Sequence, residues 1–160
     1  MAEGFQLPGY TVTRTLRDGA EELALLGYQQ ALNKRCFIRA VRGSTAQGLM
    51  RTEVAVLNGF TDPKLLQLID HGQWGDWHYS AVEYVSQGRL TDLLQQGLSL
   101  KQLMRIIKAV ARGLQQLHDA GFVHHGVSAK HVFMRSDGTA VLGGYQWCSQ
   151  IGSQHPKSRL

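Results

Sequence analysis

The sequence is organised around residues 121–146, GFVHHGVSAKHVFMRSDGTAVLGGYQ. Two short apolar runs in this stretch, Val132–Arg135 and Ala140–Leu142, flank the segment Ser136-Asp137-Gly138-Thr139. Apolar runs joined by an Asp-Gly turn predict a β-hairpin. The loop before the hairpin contains three histidines, His124, His125 and His131. The stretch therefore combines a well-specified hairpin with a loop whose side chains can carry chemistry.

A long helix is predicted immediately before this stretch. Ser99 and Gln102 form the capping-box pattern, in which each side chain satisfies a backbone donor near the other. Gly121 is suited to end the helix because glycine tolerates the left-handed conformation found there. Apolar residues at helical spacing predict one buried face. They are Leu103, Ile106, Ile107, Val110, Leu114 and Leu117.

The first half of the chain predicts a small antiparallel sheet with one helix. Strand-like runs alternate with turn residues, and one segment has apolar residues at helical spacing. The predicted strands are Tyr10–Leu16, Leu23–Leu32, Arg35–Val41, Leu65–Asp70 and Trp77–Val85, with a helix at Leu49–Phe60. A short helix follows at Leu90–Gln96. These elements predict an α+β fold, in which the first three strands form an antiparallel meander, a helix and two more strands follow, and the remainder is mainly helical.

Composition narrows the function classes. The sequence has no apolar run of membrane-spanning length and no secretory signal pattern, so we expect a cytoplasmic protein. Cys36 and Cys148 are far apart and are expected to be free thiols. The net charge of +5 permits binding to nucleic acid, but the basic residues are scattered along the sequence and no nucleic-acid motif accompanies them. Nucleic-acid binding therefore stays an alternative that rests on charge alone.

The loop and the order of elements resemble the protein kinase family. In the kinase pattern H-R-D-L-x-x-x-N, His124 stands at the histidine, Gly126 at the aspartate base and His131 at the metal-binding asparagine. After the hairpin, Gly144 stands at the aspartate of the D-F-G triplet. His125 replaces the usual arginine. The resemblance covers about residues 10–150 and includes no later C-lobe segments.

The resemblance also implies roles for residues in the first half. Arg39 stands at the strand lysine, and Glu53 stands at its helix partner, so the two are expected to form an ion pair. The nucleotide cleft, if retained, would be lined by residues of the glycine-rich loop, the strand-lysine position, the gatekeeper and the hinge. They are Gly19, Arg39, Val82, Glu83 and Val85. The implied organisation is an N-lobe at 1–85, a truncated C-lobe at 86–150 and a tail at 151–160. The resemblance implies that the N-lobe contains a five-stranded antiparallel sheet with one helix and that the C-lobe is mainly helical.

The three substituted positions lead to the main functional expectation. Gly126, His131 and Gly144 supply no carboxylate for a base or a metal, and the histidines do not have the spacing of a zinc site. We therefore expect a catalytically inactive pseudokinase of bacterial type. It would not be an enzyme, would bind neither ATP nor Mg²⁺, and would act as a regulatory or interaction module. Its partner would be another protein or a second copy, bound where the missing helices leave apolar surface exposed.

An enzymatic alternative remains open. The chain could be a minimal, atypical phosphotransferase that binds ATP and uses Arg39 and Glu53 with a rearranged metal site. Stabilisation of the fold by ATP with Mg²⁺ or Mn²⁺ separates this alternative from the non-catalytic one.

Overall fold

The computed structural model describes residues 5–63 and 65–152. Within these residues, five strands form one antiparallel sheet in the order β1-β2-β3-β5-β4. The strands are β1 Tyr10–Asp18, β2 Glu22–Gln29, β3 Lys34–Val41, β4 Leu68–Trp74 and β5 Trp77–Glu83. The helix α1, Ser44–Asn58, lies between β3 and β4 in the chain. The expected five-stranded sheet with one helix is therefore confirmed.

The helix α1 begins earlier than the predicted Leu49. Gly43 precedes it with φ of 92°, a conformation in which a side chain would be strained, and this glycine lets the chain turn sharply into the helix. The first turn, which begins at Ser44, is only partly buried and contains no large apolar residue. Apolar periodicity locates only the buried turns of a helix, which explains why the sequence pattern missed this start.

The fourth strand is shifted relative to its predicted position at Leu65–Asp70. Trp74 pairs with Trp77 across a turn in which Gly75 has φ of 57°, and this turn sets the register of β4 on β5. Leu65 forms only an isolated bridge to Leu142, yet it is completely buried. The apolar residues at 65 and 66 therefore belong to the core rather than to the strand.

The second half contains two helices and several short strands. They are α2 Leu90–Gln96, α3 Leu100–Asp119, β6 Phe122–Val123, β7 Val132–Met134, β8 Ala140–Leu142 and β9 Ser149–Gln150. The predicted hairpin is present as β7 and β8, and the capping box of Ser99 with Gln102 opens α3. Gly121 follows the helix with φ of 81°. The predicted buried face of α3 is wrong at Ile107, which is 50% exposed.

Two apolar clusters hold the described residues together. The upper cluster lies on one face of the sheet and includes Leu7, which is 5% exposed and anchors the segment before β1. The lower cluster joins α1 and β5 to the second half of the chain. Its members include Val56, Val82, Leu117 and Tyr145. Because the sheet shares this core with the second half, the proposed boundary between residues 85 and 86 stays a prediction.

The end of the described chain packs on the loop after α3. β9 pairs with β6, and the backbone N–H of Ile151 donates to the carbonyl of Gly121 at 2.8 Å. Most of the expected tail, residues 153–160, lies outside the described residues. Cys36 and Cys148 are free thiols, and burial raises the pKa of both, that of Cys148 to about 12. None of the helices described is both long enough and apolar enough to cross a membrane.

Candidate functional site

Arg39 lies on the face of β3 that is turned toward α1. Its neighbour Ile38 points to the opposite face and is fully buried in the upper cluster, as strand alternation requires. The Nη1 of Arg39 donates to Oε2 of Glu53 on α1 at 3.0 Å. The two side chains are 17% and 11% exposed, so this contact ties the helix to the sheet in a mostly desolvated setting.

A second carboxylate also contacts Arg39. The Nε of Arg39 lies 3.3 Å from Oε1 of Glu22, which is an ion-pair distance, but among the described residues this Nε has no hydrogen-bond partner. Burial raises the pKa of Glu53, and Arg39 opposes that rise. Arg39 therefore lies between two carboxylates, one deeply buried and one at the rim.

Gly19 does not form a phosphate cradle. Its N–H donates to the carbonyl of Glu22 at 3.0 Å, and a Cβ at Gly19 would meet the same oxygen at 3.0 Å. The amide is therefore engaged in the turn between β1 and β2. The assignment of Gly19 to a nucleotide cleft stays a prediction.

The hinge residues have different environments. Val82 pairs with Phe37 across the sheet and is 4% exposed, so it belongs to the lower cluster. The N–H of Glu83 donates to the carbonyl of Gln67 at 2.9 Å. In the part of the chain that is described, the N–H of Val85 has no protein acceptor. Of the three hinge positions predicted from the sequence, Val85 is thus the one with a backbone donor available to a ligand.

Arg135 binds the Glu83 side chain in a set of contacts that was not predicted from the sequence and that we name the Arg135 clamp. Arg135, at the end of β7, donates from Nε to Oε2 of Glu83 at 3.0 Å and from Nη2 to Oε1 at 2.5 Å. Its Nη1 donates to the carbonyl of Pro63, before β4. The backbone N–H of Gln67 also donates to Oε1 of Glu83, at 3.0 Å. One arginine thereby connects the hinge, the loop after α1 and the hairpin.

A surface cavity of about 230 Å³ lies beside the hinge. It is lined by residues of β1, β2 and β3 together with Tyr84. The guanidinium of Arg35 lies over the ring of Tyr28 in its wall. Its lining includes neither Arg39 nor Val85. This cavity is therefore separate from the predicted cleft.

His124 is a fully bonded core histidine. It is 1% exposed, its Nε2 lies 2.9 Å from the carbonyl of Gly143, and its Nδ1 lies 3.1 Å from the N–H of Gly126. The carbonyl can only accept, so Nε2 carries the proton and Nδ1 accepts. Burial lowers the pKa of His124, chiefly by penalising the charged imidazolium. This histidine orients the loop and offers no free nitrogen to a ligand.

His131 lies between the two substituted glycines and occupies the side-chain space of one of them, Gly144. Its Nδ1 lies 2.5 Å from the carbonyl of Gly126, and a Cβ at Gly126 would lie 3.7 Å from the same nitrogen. A Cβ at Gly144 would lie only 2.6 Å from Cγ of His131. The imidazole and a side chain at position 144 therefore exclude each other sterically in this arrangement.

This arrangement does not fit a kinase-type Mg²⁺ site. Magnesium prefers carboxylate and water oxygens in octahedral geometry, whereas the loop presents an imidazole between two glycines. Among the described residues, no group of three or more His, Cys, Asp or Glu side chains is placed to hold a metal ion. His125 does not join His131, since its Nε2 lies 2.7 Å from Oγ of Ser149.

Tyr145 follows Gly144 and is completely buried. Its hydroxyl donates to the carbonyl of Leu142 and accepts from the N–H of Leu66 at 3.1 Å. Its ring meets that of His124 edge-on, with centroids 5.8 Å apart. In the kinase pattern Tyr145 stands at the phenylalanine of the D-F-G triplet. An aromatic residue at that position was the signal for its burial.

Comparison with known proteins identifies the family. The family model for protein tyrosine and serine/threonine kinases matches residues 24–157, which is most of the chain.

This chain belongs to the protein kinase family.

Several kinases are similar to it over a large part of its length. Serine/threonine-protein kinase PAK 5 of Rattus norvegicus is 19% identical over 89% of this chain, and PAK 4 of Homo sapiens is 21% identical over 74%. Serine/threonine-protein kinase CST20 of Candida albicans is 24% identical over 68% of the chain. The chain spans about a fifth of the length of the two PAK kinases and 9% of CST20.

These relatives overturn one expectation from the sequence. We expected a chain that is not an enzyme, because three substituted positions lack carboxylates. The matching family model is that of a kinase, and the relatives named are serine/threonine protein kinases, which points to an enzyme. The expectation failed because it equated the loss of family side chains with the loss of activity. The bacterial type stays a prediction.

Proposed function

We propose that this kinase-family chain binds a nucleoside triphosphate and takes part in transferring its terminal phosphoryl group to a hydroxyl group. The observation that carries the proposal is Arg39, a mostly buried cation held on β3 by Glu53 of α1 at 3.0 Å. A fixed guanidinium recognises phosphate oxygens through paired hydrogen bonds. The serine/threonine kinases among the relatives suggest a hydroxyl acceptor.

Glu22 determines whether the Nε of Arg39 is available to a phosphate. It contacts Arg39 at 3.3 Å and also Arg17 at 2.5 Å, so it has a second cationic partner at the rim. When an anionic ligand approaches, Glu22 is repelled and can keep its contact with Arg17 alone. Arg39 then turns its Nε toward the ligand while Nη1 stays bonded to Glu53.

Val85 supplies the contact for the base of the nucleotide. Its backbone N–H lies just after β5 and has no acceptor in the described part of the chain. A purine ring nitrogen is a suitable acceptor for such a donor. Because a backbone donor does not depend on side-chain identity, this contact is compatible with the substitutions elsewhere in the loop.

His131 is the proton acceptor that we assign to the reaction. The carbonyl of Gly126 fixes the proton of the neutral ring on Nδ1, which leaves a lone pair on Nε2. Among the described residues, Nε2 has no partner. The acceptor hydroxyl forms a bond to the terminal phosphorus, and the bond to the leaving oxygen breaks with its electron pair. The hydroxyl proton passes to Nε2 and later returns to solvent.

No step is assigned to a metal held by this loop. The loop offers an imidazole where oxygen ligands would be required. The charge that develops on the phosphates is therefore placed against Arg39.

Thermal unfolding of the whole chain with ATP tests the binding. Under this proposal ATP raises the midpoint in a concentration-dependent way, because it binds the folded state only. Arg39→Ala removes the shift. Arg51→Ala is the matched control, since Arg51 is exposed on α1 and its loss should leave the shift intact. An ATP shift that is the same in wild type and Arg39→Ala, or no shift at all, contradicts the proposal.

A further inference from the structure

The outer surface of α3 carries two parallel rows of exposed side chains. The first, which we name the apolar row, consists of Leu100, Met104, Ile107 and Ala111. Leu100, Met104 and Ile107 are 75%, 46% and 50% exposed. The spacing of four, three and four residues keeps the row on one side of the helix over about 16 Å. This spacing is that of a coiled-coil seam.

The second, which we name the basic row, follows one residue behind the first. It consists of Lys101, Arg105, Lys108 and Arg112, all exposed. Within the described ranges, none of these four side chains forms a salt bridge. Four cations on adjacent turns repel one another, and this repulsion destabilises the helix. A negatively charged partner would reduce the repulsion.

The opposite face of α3 is fully used by the fold. Ile106, Gly113 and Leu117 are buried, and the helix lies against β6 and β8. The two exposed rows therefore do not contribute to the core in the part of the chain that is described. The apolar row and the basic row are therefore exposed and can contact another molecule.

We propose that this face of α3 docks an acidic amphipathic helix from a protein partner. The apolar row fits the seam of such a helix, and the basic row fits carboxylates beside that seam. A second copy of the chain is a poorer occupant because it would bring Lys101 and Lys108 near their own equivalents. A membrane surface is poorer too, because the apolar row is only one residue wide and is built into a packed domain.

A designed peptide tests the proposal with the full chain. The peptide has three heptads with leucine and isoleucine at the seam and glutamate at the flanking positions, and it carries a fluorescent label. Its anisotropy is titrated with the chain at about 0.05 M and about 0.5 M salt. A control peptide carries lysine in place of every flanking glutamate. The glutamate peptide should bind, more weakly at high salt, and the lysine peptide should not.

Chain variants locate the binding. Lys101→Glu with Lys108→Glu should weaken the glutamate peptide by about tenfold or more and should allow the lysine peptide to bind. Met104→Glu with Ile107→Glu should abolish binding of both peptides. Lys34→Glu, an exposed charge reversal at the start of β3, should change nothing. Circular dichroism melts establish that each variant is folded, as expected for exposed positions.

Several outcomes would overturn the proposal. Unchanged affinity in the Lys101→Glu, Lys108→Glu variant is one of them. Another is a dimer in sedimentation experiments without peptide that disappears in Met104→Glu with Ile107→Glu, since this would assign the face to a second copy. A third is binding to phosphatidylserine vesicles that depends on both rows while the glutamate peptide does not bind. None of these outcomes depends on whether ATP binds at Arg39.

Discussion

The substituted positions of the loop are coupled at the level of single residues. His131 and Gly144 form one packed unit, because the imidazole fills the space that a side chain at Gly144 would need, and Nδ1 of the ring lies 2.5 Å from the carbonyl of Gly126. The histidine at position 131 and the glycine at position 144 therefore depend on each other. A single aspartate restored at position 144 would therefore clash with the ring instead of recreating a kinase metal site.

The first prediction compares two glycines with similar backbone angles. Gly144 has φ of 85° and Gly138 has φ of 80°, so the backbone strain of an alanine substitution is similar at the two positions. Only at Gly144 does the new Cβ meet the His131 ring, at 2.6 Å, whereas nothing lies within 4 Å at Gly138. Gly144→Ala should lower the free energy of unfolding by about 2–4 kcal/mol, and Gly138→Ala by about 1 kcal/mol. Urea unfolding measures both.

A double variant shows whether the ring causes the difference. His131→Ala combined with Gly144→Ala should recover most of the excess loss, because the clash is gone. Equal losses for the two single glycine variants, or strictly additive effects in the double variant, would contradict the steric coupling.

The second prediction concerns the proton acceptor. His131→Asn can keep a hydrogen bond to the carbonyl of Gly126 but lacks a basic nitrogen. It should lower the rate of phosphoryl transfer from ATP to casein by about 100-fold or more, with little change in the thermal shift caused by ATP.

The control for this prediction is His118→Asn, an exposed histidine near the end of α3. Modification by diethylpyrocarbonate gives a readout that does not depend on turnover, since it requires a free imidazole nitrogen. His131 should be modified and should be protected by ATP. A wild-type chain that binds ATP but transfers no phosphate would refute the role of His131 and leave nucleotide binding intact.

At the scale of elements, the fold is held together by two arginines that cross between segments distant in sequence. Arg39 joins β3 to α1, and Arg135 joins β7 to the hinge and to the loop after α1. Both form charged hydrogen bonds in partly desolvated places, where such bonds are stronger than at the surface. The relative placement of helix, sheet and hairpin therefore depends on a few specific polar contacts as well as on the apolar clusters.

The third prediction tests the Arg135 clamp. Arg135→Ala leaves Glu83 without its bidentate partner, and both side chains are only about a fifth exposed, at 21% and 22%. The free energy of unfolding should fall by about 1–3 kcal/mol after allowance for partial solvent screening. Arg17→Ala is the matched control because its pair with Glu22 is at the surface, with Arg17 64% exposed. Its loss should cost at most about 0.5 kcal/mol.

Denaturant unfolding with matched wild-type and variant chains decides the comparison. If removal of Arg135 costs no more than removal of Arg17, the clamp does not hold the hairpin to the hinge.

At the scale of the whole molecule, stability depends on pH through two buried titratable groups, His124 and Glu53. His124 is buried in the core and its pKa is lowered in the folded chain, so the unfolded state binds a proton more readily. Stability from this group is therefore complete above the ordinary histidine value of about 6.5 and is lost as the pH falls below it. The raised pKa of Glu53 acts in the opposite sense, because its burial cost declines as acid neutralises it.

The fourth prediction follows from this balance. Between about pH 7.5 and pH 5.5 the free energy of unfolding should fall, with His124 contributing at most about 1.4 kcal/mol per pH unit. Nuclear magnetic resonance of the ring nitrogens should find His124 neutral in the folded chain under conditions that charge the histidines of the urea-unfolded chain. A folded His124 that gains its proton together with those of the unfolded chain would refute the assignment.

The sequence alone determined the elements whose signals are local. The capping box at Ser99, the glycine after α3 and the Asp-Gly turn of the hairpin involve neighbouring residues, so a one-dimensional pattern is sufficient to specify them. Apolar alternation located most of the strands, and the resemblance to kinases implied that five of them form one antiparallel sheet. The shifted start of β4 was missed, because its register depends on pairing with β5.

Only the tertiary structure decided what the changed residues do. Basic residues that are scattered in the sequence align on one face of α3, since a helix brings every third and fourth residue together. The contact of Arg135 with Glu83 joins residues separated by 52 positions. The fit of His131 between Gly126 and Gly144 depends on how the loop folds back on the hairpin. Such contacts are set by packing in three dimensions, so the sequence contained the residues but not their arrangement.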